Sequence, residues 1–281
     1  MVFHNKKFYK NLESFLSLPF PIIRKDGGNS TLNLFQTSMF FSCDPIKLIQ
    51  NFKSVDVRNP ECIKVRYILD KLVTVSKMDN QIVELEKISG VASASDDNWR
   101  DLKEYSEFLL PRARWKLPSE KSFYGFETEA DFKALENALI TGISPYILSV
   151  EYLSWSGRHY IFNCNGSHRC AAFYRQNYEQ NRNYSFETIL NIHSLNKELL
   201  KSFLNEYYCV ITSYYTANRI KEFFPKLKIL SDLIEDNEIK TILIIKKNNT
   251  DEEIFLFKIL QNMDLRYIFV LNESEYLKSL K

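Results

Sequence analysis

Between Pro145 and Arg175 the chain changes its hydrophobic period within a short span, and that change limits the folds open to it. Pro145–Leu153 (PYILSVEYL) is rich in Ile, Leu, Val and Tyr and reads as a strand. Ser156-Gly157 is a hairpin-type turn, and Arg158–Cys164 (RHYIFNC) is the returning strand. Asn165-Gly166 turns the chain again, and a helix is expected from Ser167 to about Asn177. Two antiparallel strands delivered straight into a helix need a sheet with helices packed on it.

The remaining elements are read from periodicity and punctuation. Residues 1–110 read as a mostly helical region with some extended pieces. Asn11–Leu18 and Asp44–Phe52 have helical spacing, with Pro45 at a first-turn position. Gly27-Gly28 marks a turn within Arg24–Thr31. Cys62–Val75 and Gln81–Ile88 repeat apolar residues at three and four, and Asp97–Leu110 is an amphipathic helix closed by Pro111. Thr128–Ile140 is expected as a helix with Phe132, Leu135, Leu139 and Ile140 on one face, ended by Gly142. Ser185–Tyr208 is expected to be helical, and Thr216–Ile234 to hold one or two helices around Pro225. Thr241–Lys246 (TILIIK) and Leu265–Leu271 are expected as strands, joined by a helix that starts at a Thr250–Glu253 capping box, with Ser274–Leu280 as a closing helix. A β-α-β unit of this kind implies that its two strands are parallel. The expected class is α/β (α+β), divided into a helical region 1–110, a core 111–180 and an α/β region 181–281.

Composition narrows the function classes. Apolar residues make up 45% and charged residues 26%, with 7 Gly and 8 Pro, so the chain is neither disordered nor of low complexity. Lys and Arg total 37 against 35 Asp and Glu, which gives no global pull toward nucleic acid. A local basic run remains at Arg112, Arg114 and Lys116 around Trp115, which leaves DNA open as a partner. The cysteines Cys43, Cys62, Cys164, Cys170 and Cys209 form no Cys-x-x-Cys, and the histidines His4, His159, His168 and His193 do not cluster with them, so no zinc site is expected. Reduced thiols, no membrane-length apolar run and no signal-like N-terminus give the expectation of a cytoplasmic protein.

The chemistry concentrates at Asn165–Arg169 (NGSHR). A strand passing through Asn-Gly into a helix gathers free backbone N–H groups around one point, and the helix dipole adds positive potential there. Gly166 lets an anion approach the backbone, Ser167 can donate a hydroxyl, and His168 and Arg169 add side-chain donors. An ordinary surface turn has the same local sequence, so local features alone leave the two readings level.

In the order of its elements, and in the run DFKALENALITGISPYILSVEYLSWSGRHYIFNCNGSHRCAAFYRQ, the segment 115–176 resembles the ParB/sulfiredoxin superfamily. That pattern is a helix, a glycine, a Pro-containing strand, a turn, a second strand and a Gly-x-x-Arg box opening a helix. The resemblance implies a small mixed sheet and a nucleoside triphosphate, ATP or CTP, with or without magnesium, held at Asn165, Gly166, Ser167, His168 and Arg169. Ser167 stands where sulfiredoxins carry their cysteine, which argues against thiol repair. The Arg-Arg box of the partition proteins is absent. The serine-kinase branch of the superfamily points to an upstream glutamate. Glu120 is the nearest match, with Glu127 and Glu129 as rivals, and His168 is the second catalytic candidate. Trp155, Tyr160, Phe162, Phe123, Tyr124 and Phe126 are candidates for stacking on a base, although hairpin aromatics are usually core. Three functions follow in order: an ATPase or small-molecule phosphotransferase, a nucleotide-gated binding module without turnover, and a nuclease or toxin-like effector. A protein partner would engage the N- or C-terminal region.

Overall fold

The computed structural model describes residues 22–23, 29–30, 44–53, 58–91, 102–109, 149–162, 170, 174–175, 177–178, 181, 183–235, 239–262 and 268–271. The expected helices Asn11–Leu18, Thr128–Ile140 and Ser274–Leu280 and the Gly27-Gly28 turn lie outside these residues. The class is mixed α/β, with a five-stranded mixed sheet and a four-stranded sheet. The chain packs as two units. One holds Met1–Phe35, Pro45–Val73 and Asn196–Lys281, and the other holds Gln36–Asp44 and Thr74–Leu195.

Within the first unit, β1 (Ile22–Ile23) and β2 (Asn29–Ser30) pair antiparallel. Helix α1 (Pro45–Gln50) starts at proline, as expected. Helix α2 (Pro60–Asp70) also has proline in its first turn, and the Asn59 side chain caps it by accepting from Glu61 N at 3.0 Å. The larger sheet of this unit has the order β11-β8-β10-β9, from β8 (Tyr207–Ser213), β9 (Ile229–Glu235), β10 (Ile239–Lys246) and β11 (Ile268–Leu271). Every neighbouring pair in it is antiparallel. β10 and β11 therefore run in the same direction, as a β-α-β unit requires, with β8 between them.

The central strands are apolar on both faces because both faces are covered. Val210 and Leu243 pack with Ala217, Ile220, Leu256 and Leu260, while Cys209, Ile211, Ile242 and Ile244 are buried on the opposite face. Truncating Leu243 to alanine is expected to cost about 2–5 kcal/mol, read as a lowered denaturant midpoint. The helices over the Val210 and Leu243 cluster are α5 (Tyr214–Phe223) and α6 (Asp251–Asn262), while α4 (Lys197–Glu206), with Leu200, Phe203 and Leu204 buried, leads into β8. Ser213 caps α5 through Thr216 N at 3.2 Å. The capping box is present at α6: Thr250 Oγ1 accepts from Glu253 N at 3.3 Å, and Glu253 Oε2 accepts from Thr250 N at 3.4 Å.

A polar cluster ties α2 to the start of β8 and the end of β10. Glu61 accepts from the Tyr207 hydroxyl and from Lys246 Nζ, the latter at 2.9 Å. The Tyr207 hydrogen bond, then Lys246 and Lys64, hold the Glu61 carboxyl below the ordinary carboxylate range against the opposing effect of partial burial. A depressed carboxyl contributes stability above its unfolded value and loses that contribution as pH falls through the folded value. The stability gap between the wild type and Glu61→Gln is therefore expected at neutral pH and to close in acid, as measured by urea unfolding at several pH values.

The second unit is built on a sheet of order β3-β7-β5-β6-β4. Its strands are β3 (Val73–Glu84, whose first residue belongs to the other unit), β4 (Ile88–Val91), β5 (Ser149–Leu153), β6 (Arg158–Phe162) and β7 (Ser185–Leu195). β5 and β6 form the expected antiparallel hairpin, from Ser149 opposite Phe162 to Leu153 opposite Arg158. Gly157 closes its loop with φ +68°, donating its N–H to Leu153 O at 2.8 Å. β5 is parallel to β7 and β6 is parallel to β4, so the sheet is mixed. Helix α3 (Leu102–Leu109) falls inside the amphipathic span expected there.

Four helical expectations are corrected, the first only at its end: the helix expected over Cys62–Val75 stops at Asp70, and Val73–Val75 begin β3. Ser185–Tyr208 is not one helix: Ser185–Leu195 is β7, and the helix begins only at Lys197. Phe186 and Thr188 are buried between exposed Ser185 and Glu187, the period of a strand, and Asn196 caps α4 by accepting from Leu199 N at 3.0 Å. Thr216–Ile234 is helical only to Phe223, and after the Pro225 turn the chain from Ile229 forms β9. Gln81–Ile88 is the end of β3, a 3₁₀ turn at Leu85–Lys87 and the start of β4. The spacing of Ile82, Leu85 and Ile88 comes from that turn, and residues 1–110 are correspondingly less helical than their periodicity suggests.

Candidate functional site

The expected phosphate box, Asn165–Arg169, lies outside the described residues, as do Glu120, Glu127, Glu129 and the aromatics Phe123, Tyr124 and Phe126. Both flanks of the box are described. β6 ends at Phe162, and the backbone is helical at Cys170, Tyr174, Arg175, Asn177 and Tyr178. A strand thus precedes the box in the chain, and helical residues follow it. Cys170 and Asn177, two helical turns apart, are both buried, which fixes the inward face of this segment.

The hairpin aromatics separate by position. Trp155 and Tyr160 are core residues, and the Trp155 indole Nε1 donates to Asp44 Oδ2 at 3.2 Å. Phe162 is 48% exposed and is the last residue of β6, so it is the hairpin aromatic available for stacking beside the box. His159 stacks on Tyr152 with ring centroids 4.4 Å apart. Burial, with the nearby Lys87 charge, lowers its pKa, so the imidazole is neutral at physiological pH.

Cys170 is fully buried, and burial pushes its thiol up to about 12. Cys209 is pushed up to about 12 by the same cause. A thiol so far from its thiolate is a poor nucleophile. Cys170 and Cys209 are expected to resist alkylation in the folded protein at pH 8 and to react once it is unfolded, as measured by mass spectrometry of the labelled peptides.

Two features of this unit were not read from the sequence. The first is a polar trio on adjacent strands, with Glu151 and His193 buried and Asn191 half-buried. Glu151 of β5 accepts from Asn191 Nδ2 at 2.7 Å and is hydrogen-bonded to His193 Nε2, both on β7. Glu151 is 8% and His193 5% exposed. Asn191 stands directly opposite Glu151, and His193 lies two residues further along the same sheet face. The second is a cleft of about 360 Å³ between the end of β3, the helical segment after the box and the start of β7. Glu84 and Glu86 line it from one side, Tyr174, Asn177 and Tyr178 from another. Leu85, Asn181, Asn183, Tyr184 and Ser185 also line it. Asn181 has φ +54°, a left-handed conformation that asparagine tolerates. β7 starts four residues before Ile189, which stands opposite Ser149, and Ser149 in turn stands opposite Phe162. The cleft is thus at the end of the sheet where β6 hands the chain to the box. Its sequence signal is the interleaving of Tyr174, Tyr178 and Tyr184 with Asn177, Asn181 and Asn183.

Among the described residues no group of three or more His, Cys, Asp or Glu side chains could hold a metal ion, and no helix is long and apolar enough to cross a membrane. The chain belongs to the DUF6685 family, described as a family of unknown function, whose profile matches residues 78–264. The match takes in the hairpin, the box, the polar trio and the cleft. No curated protein and no solved structure matches the chain.

Proposed function

We propose that this DUF6685 member binds a nucleoside triphosphate, ATP or CTP, at Asn165–Arg169, on a fold of the ParB/sulfiredoxin type, and turns it over as an ATPase or small-molecule phosphotransferase. The observation that carries the reading is the state of the two flanks of the box, with β6 ending at Phe162 and the chain helical at Cys170. Backbone N–H groups at such a junction, with Gly166 admitting close approach and Arg169 offering two parallel donors, suit a phosphate. Support also comes from the mixed sheet and the antiparallel β5–β6 hairpin that delivers the box. The raised pKa of Cys170 and the serine at position 167 count against thiol chemistry at this place.

Phosphoryl transfer is mostly positioning and charge neutralisation. In this reading Arg169 and His168 neutralise the phosphates, and Glu120 serves as base or as a carboxylate for magnesium. Titration with ATP, CTP, GTP and ADP, with product analysis, tests it. Binding of a triphosphate with release of a diphosphate product is the expected outcome, and absence of binding by all four would refute it. Glu120→Gln is expected to keep nucleotide binding and lose turnover, because the charge matters most in the transition state. Binding by the wild type without any product would favour a nucleotide-gated module instead.

A further inference from the structure

The geometry points to the cleft at Glu84–Glu86, Tyr174–Tyr178 and Tyr184 as the seat of a nucleoside, the ribose and base of the nucleotide whose phosphates lie on the box; the inference rests on the nucleotide reading above. At about 360 Å³ the cleft lies within the range of about 300–1,000 Å³ typical of small-molecule sites. Its described walls are mainly tyrosines, asparagine amides and two carboxylates, with Leu85 and Ser185, a set suited to a neutral, flat, hydroxylated ligand. Among the described residues no lysine or arginine lines it, and Glu84 and Glu86 disfavour phosphate beside them. Lys87 Nζ sits 3.0 Å from Glu84 Oε2 and moderates that charge, while Glu86 remains exposed.

The groups divide the ligand between them. A carboxylate can accept hydrogen bonds from ribose hydroxyls, the role an acidic residue plays in many nucleotide sites. Asn177 is 5% exposed yet lines the cleft, which puts an amide on its floor where a base edge can be read. The Tyr178 ring is 55% exposed, and Lys103 Nζ stands 4.8 Å from its centroid, a cation–π contact that orients the ring as a stacking platform. Arg169 precedes Tyr174 by five residues, at most about 18 Å of chain. One ligand can therefore engage both.

The test is calorimetry on the full chain with ATP, CTP, adenosine, cytidine and inorganic tripolyphosphate. The proteins are the wild type, Tyr178→Ala, Glu86→Ala and Arg169→Ala. Both cleft variants are expected to bind ATP or CTP about tenfold or more weakly, the loss expected for a hydrogen bond to a charged group or a stacked ring, while binding tripolyphosphate as the wild type does. Arg169→Ala is expected to lose affinity for tripolyphosphate and nucleotide alike. Equal nucleotide affinity in the wild type and both cleft variants would overturn the cleft assignment and leave the box intact. If tripolyphosphate does not bind, the box reading fails and the nucleosides decide. Saturable binding of adenosine or cytidine that Tyr178→Ala abolishes would support the cleft, and no such binding would overturn it.

Discussion

Replacing Glu151 by alanine is expected to lower the unfolding free energy by about 2–5 kcal/mol. The carboxylate is buried and takes two hydrogen bonds from β7, from Asn191 Nδ2 at 2.7 Å and from His193 Nε2. Its loss removes the side-chain partner that Asn191 and His193 share, and a lost hydrogen bond to a charged group costs about 1.5–3 kcal/mol. It also opens a void beside Tyr160, which stands opposite Glu151 on β6 and is 1% exposed. Glu151→Gln keeps an acceptor for Asn191 and should cost less. The pair should also be coupled: Glu151→Ala with His193→Ala should lose less than the sum of the singles. Urea unfolding followed by far-ultraviolet circular dichroism measures these differences. A loss below about 0.5 kcal/mol for Glu151→Ala, the scale of a surface substitution, would show that the trio does not hold β5 to β7.

What could be read along the chain was local. The β5–β6 hairpin announced itself through two apolar runs around Ser156-Gly157, and Thr250–Glu253 announced the start of α6, because both signals lie within a few residues. β7 was missed because Leu190 and Leu195 with Ile189 and Ile192 mimic helical spacing, while the deciding alternation of Phe186 and Thr188 is short. The sheet order was out of reach. Nothing local says that Ile88–Val91 runs parallel beside β6, or that β5 adds β7 on its other edge. The polar trio follows from that second pairing, so Glu151 and His193, far apart in sequence, gave no joint signal. The cleft has the same origin, since three separated stretches meet at one end of one sheet. The box was read as a motif because glycine, hydroxyl and guanidinium fall within four residues, Gly166 to Arg169. The described flanks add that a strand precedes it in the chain and helical residues follow.

Arg169→Ala carries the central claim. A guanidinium that grips a phosphate through two charge-assisted bonds contributes roughly 1.5–3 kcal/mol, about a tenfold to hundredfold change in affinity. The strand before it and the helical chain after it are held by core residues, Tyr160 and Ile161 on one side and Cys170 on the other, so the substitution should leave the fold unchanged. His168→Ala should cost less binding. The direct measurement is isothermal titration of ATP and CTP into the wild type and Arg169→Ala at one fixed salt concentration, with matched unfolding curves as the control for folding. The account predicts saturable binding of at least one of the two by the wild type, weakened about tenfold to hundredfold or lost in Arg169→Ala. Equal affinities in the two proteins, or no binding by the wild type, would contradict it.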